Sequence, residues 1–239
     1  MHFCFYWSQT VKRTLLATFC VLAAATASRA DSLLIQSGTP TDGTAFHLAL
    51  NSENLATTHV ANVILTPPHP AWAPAIGTSD WISFTNDYSP TPSGQSACST
   101  PTYAICNNDF VAFYHTFTLS NPASYSGVLQ VMADDTADVW LNGHQLFAAL
   151  GPYSSSNTYP TCSSQPVGCL SNTMGVVTID SSWLVSGTNT LEFKVWQRNG
   201  TGYGLDYSMS LSSVPEPGSV SLIACGLVAL IALRRKQLA

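Results

Sequence analysis

Val177-Thr178-Ile179-Asp180-Ser181-Ser182-Trp183-Leu184-Val185-Ser186-Gly187-Thr188-Asn189-Thr190-Leu191-Glu192-Phe193-Lys194-Val195 decides the fold. Val177 to Ile179 is a β-branched run, and the stretch from Ser181 is too short for more than one helical turn. Gly187-Thr188-Asn189 supplies turn chemistry, and Leu191, Phe193 and Val195 then alternate with Glu192, Lys194 and Trp196. Period-two alternation predicts a strand with the first set inward and the second outward.

Outward from this stretch the pattern persists. Gly200 to Leu205 turns the chain into a last strand, where Leu205, Tyr207, Met209 and Leu211 oppose Asp206, Ser208 and Ser210. Upstream, Val139 to His144 ends at Asn142-Gly143, whose residues accept the positive φ of a tight hairpin. Strands are expected at 33–36, 44–50, 60–66, 81–85, 111–119, 127–133, 137–141, 176–180, 190–196 and 204–211. Pro67 to Trp72 reads as an irregular crossover. With no helical period and no repeat, residues 31–213 read as one all-β domain, a jelly roll or β-sandwich.

A strand ending in Asn142-Gly143, then Leu184 to Val195, then a Gly-rich turn and closing strand resembles the galactose-binding-like jelly rolls over about residues 111–211. The resemblance implies a sandwich and names no ligand. The stretch from Phe147 to Thr173 departs from it as an insertion.

The ends carry a different message. Lys12 and Arg13 precede the apolar run from Leu15 to Ala25, and small residues follow as far as Ala27 and Ala30. This is the layout of a signal peptide over residues 1–30, too short to span a bilayer as an anchor. At the other end, Pro215, Glu216 and Pro217 precede an uncharged apolar stretch, then Arg234, Arg235 and Lys236. Cations at both ends favour retention inside, which places residues 31–214 outside. Residues 214–239 resemble the PEP-CTERM sorting signal: a Pro-Glu-Pro motif, a single membrane helix and a basic stop. That resemblance implies a Gram-negative bacterium and an exosortase-type processing partner. It also implies transient residence in the inner membrane, followed by release to the envelope or an extracellular polysaccharide matrix.

Of the eight basic residues only Lys194 and Arg198 lie within 31–214, against twelve of the thirteen acids, a net charge of −10. Such a surface offers a phosphate backbone nothing to bind and excludes nucleic acid. Cys98 with Cys106 and Cys162 with Cys169 form two close pairs in polar loops. In an exported chain they read as local disulfides, because the spacing and neighbouring residues of a zinc site are missing.

Asp134, Asp135 and Asp138 cluster at a strand-to-strand turn. Carboxylates on a loop suit calcium, and the Asp-Asp pair resembles the calcium-binding pair of yeast flocculin-type adhesin domains. They equally suit turn capping through the backbone. Trp140 and Trp196 lie in the outward register of their strands, where an indole face can stack on a pyranose ring or pack between elements. His47, His59, His69, His115 and His144 are scattered, with no metalloprotease spacing and no nucleophile elbow. The expectation is a non-enzymatic, matrix-associated protein that binds exopolysaccharide weakly. A purely structural or adhesive matrix protein is the alternative, and a secreted glycan-active enzyme a third.

Overall fold

The computed structural model describes residues 31–38, 45–47, 59–61, 63–86, 88, 107–152, 166–198, 202–213 and 226, the side chains of 45–47 and 59–61 excepted. The expected leader, residues 1–30, lies outside them. So do Pro215, Glu216, Pro217, Arg234, Arg235, Lys236, Cys98, Cys106 and Cys162. No helix among the described residues is long and apolar enough to cross a membrane.

The chain divides into two compact units. One comprises Met1–Asp31 with Ser212–Ala239. Within it the Ser213 amide donates to the Asp31 carbonyl at 2.8 Å, and the Asp31 amide donates to Ser213 Oγ at 2.7 Å. The other, Ser32–Leu211, is the sandwich.

Twelve strands are described: β1 (Ser32–Gln36), β2 (Ala45–His47), β3 (His59–Ala61), β4 (Val63–Ile64), β5 (Ile82–Ser83), β6 (Phe110–Leu119), β7 (Tyr125–Asp134), β8 (Thr136–Leu141), β9 (His144–Phe147), β10 (Gly175–Ile179), β11 (Gly187–Trp196) and β12 (Gly204–Ser213). The first sheet runs β10-β7-β12-β5-β4, with β1 also on β12, and the second runs β3-β2-β6-β11-β8-β9. From β6 onward the chain passes repeatedly between the sheets, the jelly-roll habit. Every expected strand is present, though the span 60–66 is split between β3 and β4. β9 was not foreseen, because His144-Gln145-Leu146-Phe147 has neither alternation nor β-branching to announce it.

Alternation decides the core. Leu191, Phe193 and Val195 of β11 are fully buried, as are Val139 and Leu141 of β8 opposite and Leu205, Tyr207 and Met209 of β12. Burying one such side chain contributes roughly 1.5–3 kcal/mol. The turns are fixed by polar chemistry. Asn142 and Gly143 take φ of 51° and 82° at the β8–β9 hairpin, as an Asn-Gly turn requires. Buried Asn189 ties the 185–189 turn together, accepting from the Val185 amide at 2.8 Å and donating to the Val185 carbonyl at 2.9 Å.

Asp206 lies on the face opposite Leu205 and Tyr207, as its register dictates, yet it is fully buried. The reason is that residues 65–80 fold back over part of the first sheet's outer face as a roof. Trp72, Ala73 and Ile76 of that segment pack with Trp81, Met132 and Cys169. The roof is fastened by Asp206, which accepts from Ser37 Oγ at 3.0 Å, Ser79 Oγ at 2.5 Å and the Ile76 amide at 2.8 Å. Elsewhere it is held by Trp81 Nε1 donating to the Ala73 carbonyl at 3.0 Å and by the Ala73 amide donating to the Cys169 carbonyl at 2.9 Å.

Candidate functional site

Two places collect the side chains singled out in the sequence, and the tryptophan positions occupy the first. β8 and β11 pair antiparallel with Trp140 opposite Glu192, Asp138 opposite Lys194 and Thr136 opposite Trp196. Because Val139, Leu141, Leu191, Phe193 and Val195 point into the core, Asp138, Trp140, Glu192, Lys194 and Trp196 project together from the outer face of the second sheet.

The two indoles are not equivalent. Trp196 is packed by the Phe110 ring, with centroids 4.7 Å apart, and by the Arg198 guanidinium 4.3 Å from its ring centroid. Its Nε1 donates to Asp138 Oδ2 at 2.7 Å. Trp140 is half-buried, with Lys194 Nζ 3.9 Å from its ring centroid. Lys194 Nζ is also 3.9 Å from Glu192 Oε1. The two cations of residues 31–214 therefore each stand over one outward tryptophan, a favourable cation–π placement. Sequence alternation indicated that Lys194 and Trp196 point outward. It carried no signal that β8 lies beside β11, which is what brings Trp140 under Lys194.

The second place is the β7–β8 corner. Asp134 and Asp135 are both buried, and the peptide bond between them is cis. Trp72 Nε1 donates to Asp134 Oδ2 at 2.7 Å, and the Arg198 amide donates to Asp135 Oδ2 at 2.7 Å. Asp134 Oδ1 has no hydrogen-bond partner among the described residues. Burial, and then the charge of Asp135, push the Asp134 carboxyl well above the usual carboxylate range. Gly202 closes the corner: a Cβ there would fall 2.3 Å from Asp134 Oδ2.

Asp138 stands apart from this pair. Its Oδ2 is bound to Trp196 Nε1 and its Oδ1 accepts from the Ala149 amide at 2.8 Å. Among the described residues no group of three His, Cys, Asp or Glu side chains is placed to hold a metal ion. The turn thus splits the acidic triplet, because adjacent residues at the end of one strand and the outward position of the next face different surroundings.

The histidines are dispersed. His115 is buried, with Nδ1 2.8 Å from Tyr207 Oη, His69 packs against Trp72 and Tyr88, and His144 stacks on Trp183. Cys169 is fully buried and disulfide-bonded.

The fold and these surfaces define a β-sandwich domain with one polar-aromatic face and one buried acidic corner. No family model matches the chain, and no curated protein matches it. Among solved structures it is similar to a family 35 carbohydrate binding module from Clostridium thermocellum, at 11% identity over 76% of this chain and 97% of that one, with a TM-score of 0.35. It is similar also to a family 35 carbohydrate binding module from an environmental isolate, at 14% identity over 66% of this chain and 92% of that one, TM-score 0.30. A GH31 alpha-xylosidase from Xanthomonas citri overlaps at 9% identity over 78% of this chain and 17% of that one, TM-score 0.27. At these identities and superpositions the likeness assigns neither ligand nor activity.

Proposed function

We propose that this chain is an exported, non-enzymatic protein of the cell envelope or extracellular matrix whose sandwich binds extracellular polysaccharide weakly. Sorting is assigned to the tail, with Pro215, Glu216 and Pro217 as the motif read by an exosortase-type enzyme and Arg234, Arg235 and Lys236 as the stop. The observation that carries the binding half is Trp140. It is half-buried on the outer face of the second sheet, bordered by Asp138 and by the partly buried Lys194 and Glu192, so an aromatic ring lies beside groups able to hydrogen-bond sugar hydroxyls. Trp196 supports the floor of that face through Phe110 and Asp138.

Titration of the exported protein with polysaccharide from its own matrix, followed by tryptophan fluorescence, tests this. Binding is expected in wild type and lost in Trp140→Ala; equal binding by the variant moves the site elsewhere. Absence of binding leaves the structural or adhesive role. Intact mass of matrix protein tests the sorting half, which requires an end near Glu216. In the same protein Cys98–Cys106 and Cys162–Cys169 bridges are expected in non-reducing peptide maps.

A second reading concerns calcium and is carried by the buried Asp134–Asp135 pair, in which the neighbouring Asp135 carboxylate raises the cost of ionising Asp134 and Asp134 Oδ1 has no donor among the described residues. Hard oxygens in this position fit calcium by type, and an ion there supplies the charge that Asp134 and Asp135 lack. Asp134 and Asp135 would hold it, with Asp138 left to its bonds with Trp196 and Ala149. Calorimetric titration with calcium, compared between wild type and Asp134→Asn, tests this directly. Heat that persists in the variant rules the pair out.

A further inference from the structure

Edge strands are the part of a sandwich most open to a partner, since one side of their backbone is left without a neighbour. Among the described residues the sheets end at β4, two residues long, β3, three residues, β9, four residues, and β10, five residues, while β1, also five residues, pairs only with β12. β10 pairs with β7 in an unbroken register from Gly175 opposite Val131 to Ile179 opposite Gly127. Its sequence, Gly175-Val176-Val177-Thr178-Ile179, is strongly β-forming. It contains none of the usual guards of an edge: no Lys, no Pro, no charge and no bulge.

The surface beside it is equally unguarded. Past the roof, the outer face of the first sheet presents Val176 and Thr178 from β10, Ser126 and Val128 from β7, Ser208 and Ser210 from β12, and Leu34 from β1. Val176 is 54% exposed, Leu34 55% and Val128 37%. Not one of these positions carries a charge, in a domain whose net charge is −10. Two copies approaching through most other surfaces meet acid against acid; here they do not.

We propose that β10 is a self-association edge, pairing antiparallel with β10 of a second copy so that two first sheets join across a two-fold axis. An antiparallel pair centred on Val177 is self-complementary, as a two-fold contact must be. Val176 then lies opposite Thr178 of the second copy, a cross-strand pair of branched side chains, while Asp180 falls opposite Met174 of the second copy. The carboxylates are kept at opposite ends of the ladder. The contact is one short ladder, well below the roughly 800 Å² per partner of a stable complex, so it is reversible and favoured where copies are crowded. It does not depend on sugar binding.

Sedimentation velocity of the full exported protein over a hundredfold concentration range tests the idea, with amide hydrogen exchange on the same samples. The expected result is a mass rising toward two chains, with β10 amides slowing in step. In Val176→Lys/Thr178→Lys, which places lysines opposite one another at two exposed positions, association should shift to at least about tenfold higher concentration. Near-UV circular dichroism from buried Trp81 confirms that the variant is folded. A single-chain mass at every concentration overturns the proposal. Association that the paired lysines do not weaken, or that leaves β10 exchange unchanged, overturns it equally.

Discussion

On the outer face of the first sheet the same strands carry two different surfaces. Under the roof, the outward positions are Gln36 of β1, Asp206 of β12 and Met132 of β7, all buried. A few residues along the same strands, Leu34, Ser210 and Val128 stand in solvent. The backbone geometry does not change between the halves, so the difference comes from what covers them. Where residues 65–80 return across the sheet, Met132 is apolar and Gln36 and Asp206 are hydrogen-bonded to the returning segment, since an unmatched buried group costs about 1–3 kcal/mol. Beyond the roof that demand lapses, and serines suffice.

The comparison is broken most severely at Trp81. It is almost fully buried, stacks on Trp72 with centroids 4.3 Å apart and donates to the Ala73 carbonyl. Trp81→Ala should lower stability by about 3–5 kcal/mol, seen as a reduced midpoint in urea. A smaller loss would mean that the roof collapses onto the vacancy. Next comes Asp206→Ala, which leaves the Ile76 amide without its acceptor and the Ser37 and Ser79 hydroxyls only the Asp80 and Ile76 carbonyls, and should cost about 1–3 kcal/mol. A urea midpoint within error of wild type would show that the carboxylate is not what fastens the roof.

The pH dependence sharpens the same contrast. Burial raises the Asp206 carboxyl above its ordinary value, despite the hydrogen bonds from Ser79, Ile76 and Ser37 that pull it down. Asp134 is raised further by burial and by Asp135. A carboxyl whose folded value is raised binds its proton more tightly in the native state. The stability it contributes is complete below the ordinary carboxylate range, near 4, and is lost as pH rises through the raised folded values. With calcium chelated, Asp134→Asn should therefore raise stability at pH 7 and flatten the fall in melting temperature between acid and neutral pH. A destabilised variant with an unchanged pH profile would show that the carboxylate is already neutralised by other means. The smallest effect belongs to the bare half. Leu34→Thr, at a position 55% exposed, should change the urea midpoint by no more than about 0.5 kcal/mol, and a larger loss would reveal a cover on that face.

Much of this was legible in the sequence, for identifiable reasons. Alternation in Leu191, Phe193 and Val195 reports which way side chains point, and it placed the apolar core-facing residues of β11 and β12, though not buried Asn189, which the sequence marks as a turn residue. The Asn142-Gly143 turn was equally plain, because its positive φ angles restrict which residues fit. Alternation says nothing, however, about what lies over an outward face. Asp206 and Ser210 share a face in the pattern and differ only through a segment more than a hundred residues away. The acidic triplet failed to hold together for a related reason. Asp134, Asp135 and Asp138 are neighbours in sequence, but the strand change between them sends Asp138 to Trp196 and Ala149 while Trp72 comes to Asp134. No local signal marks either meeting.

β12 has neighbours on both sides, β7 on one and β1 and β5 on the other, and the chain continues from it into residues 214–239. A force applied to that continuation and directed along β12 is therefore delivered to an interior strand. The hydrogen bonds of both flanking ladders are then loaded together, in shear, whereas an edge strand such as β10 peels and releases its bonds one at a time. Pulled along β12, the sandwich resists opening more strongly than it would if pulled from an edge strand.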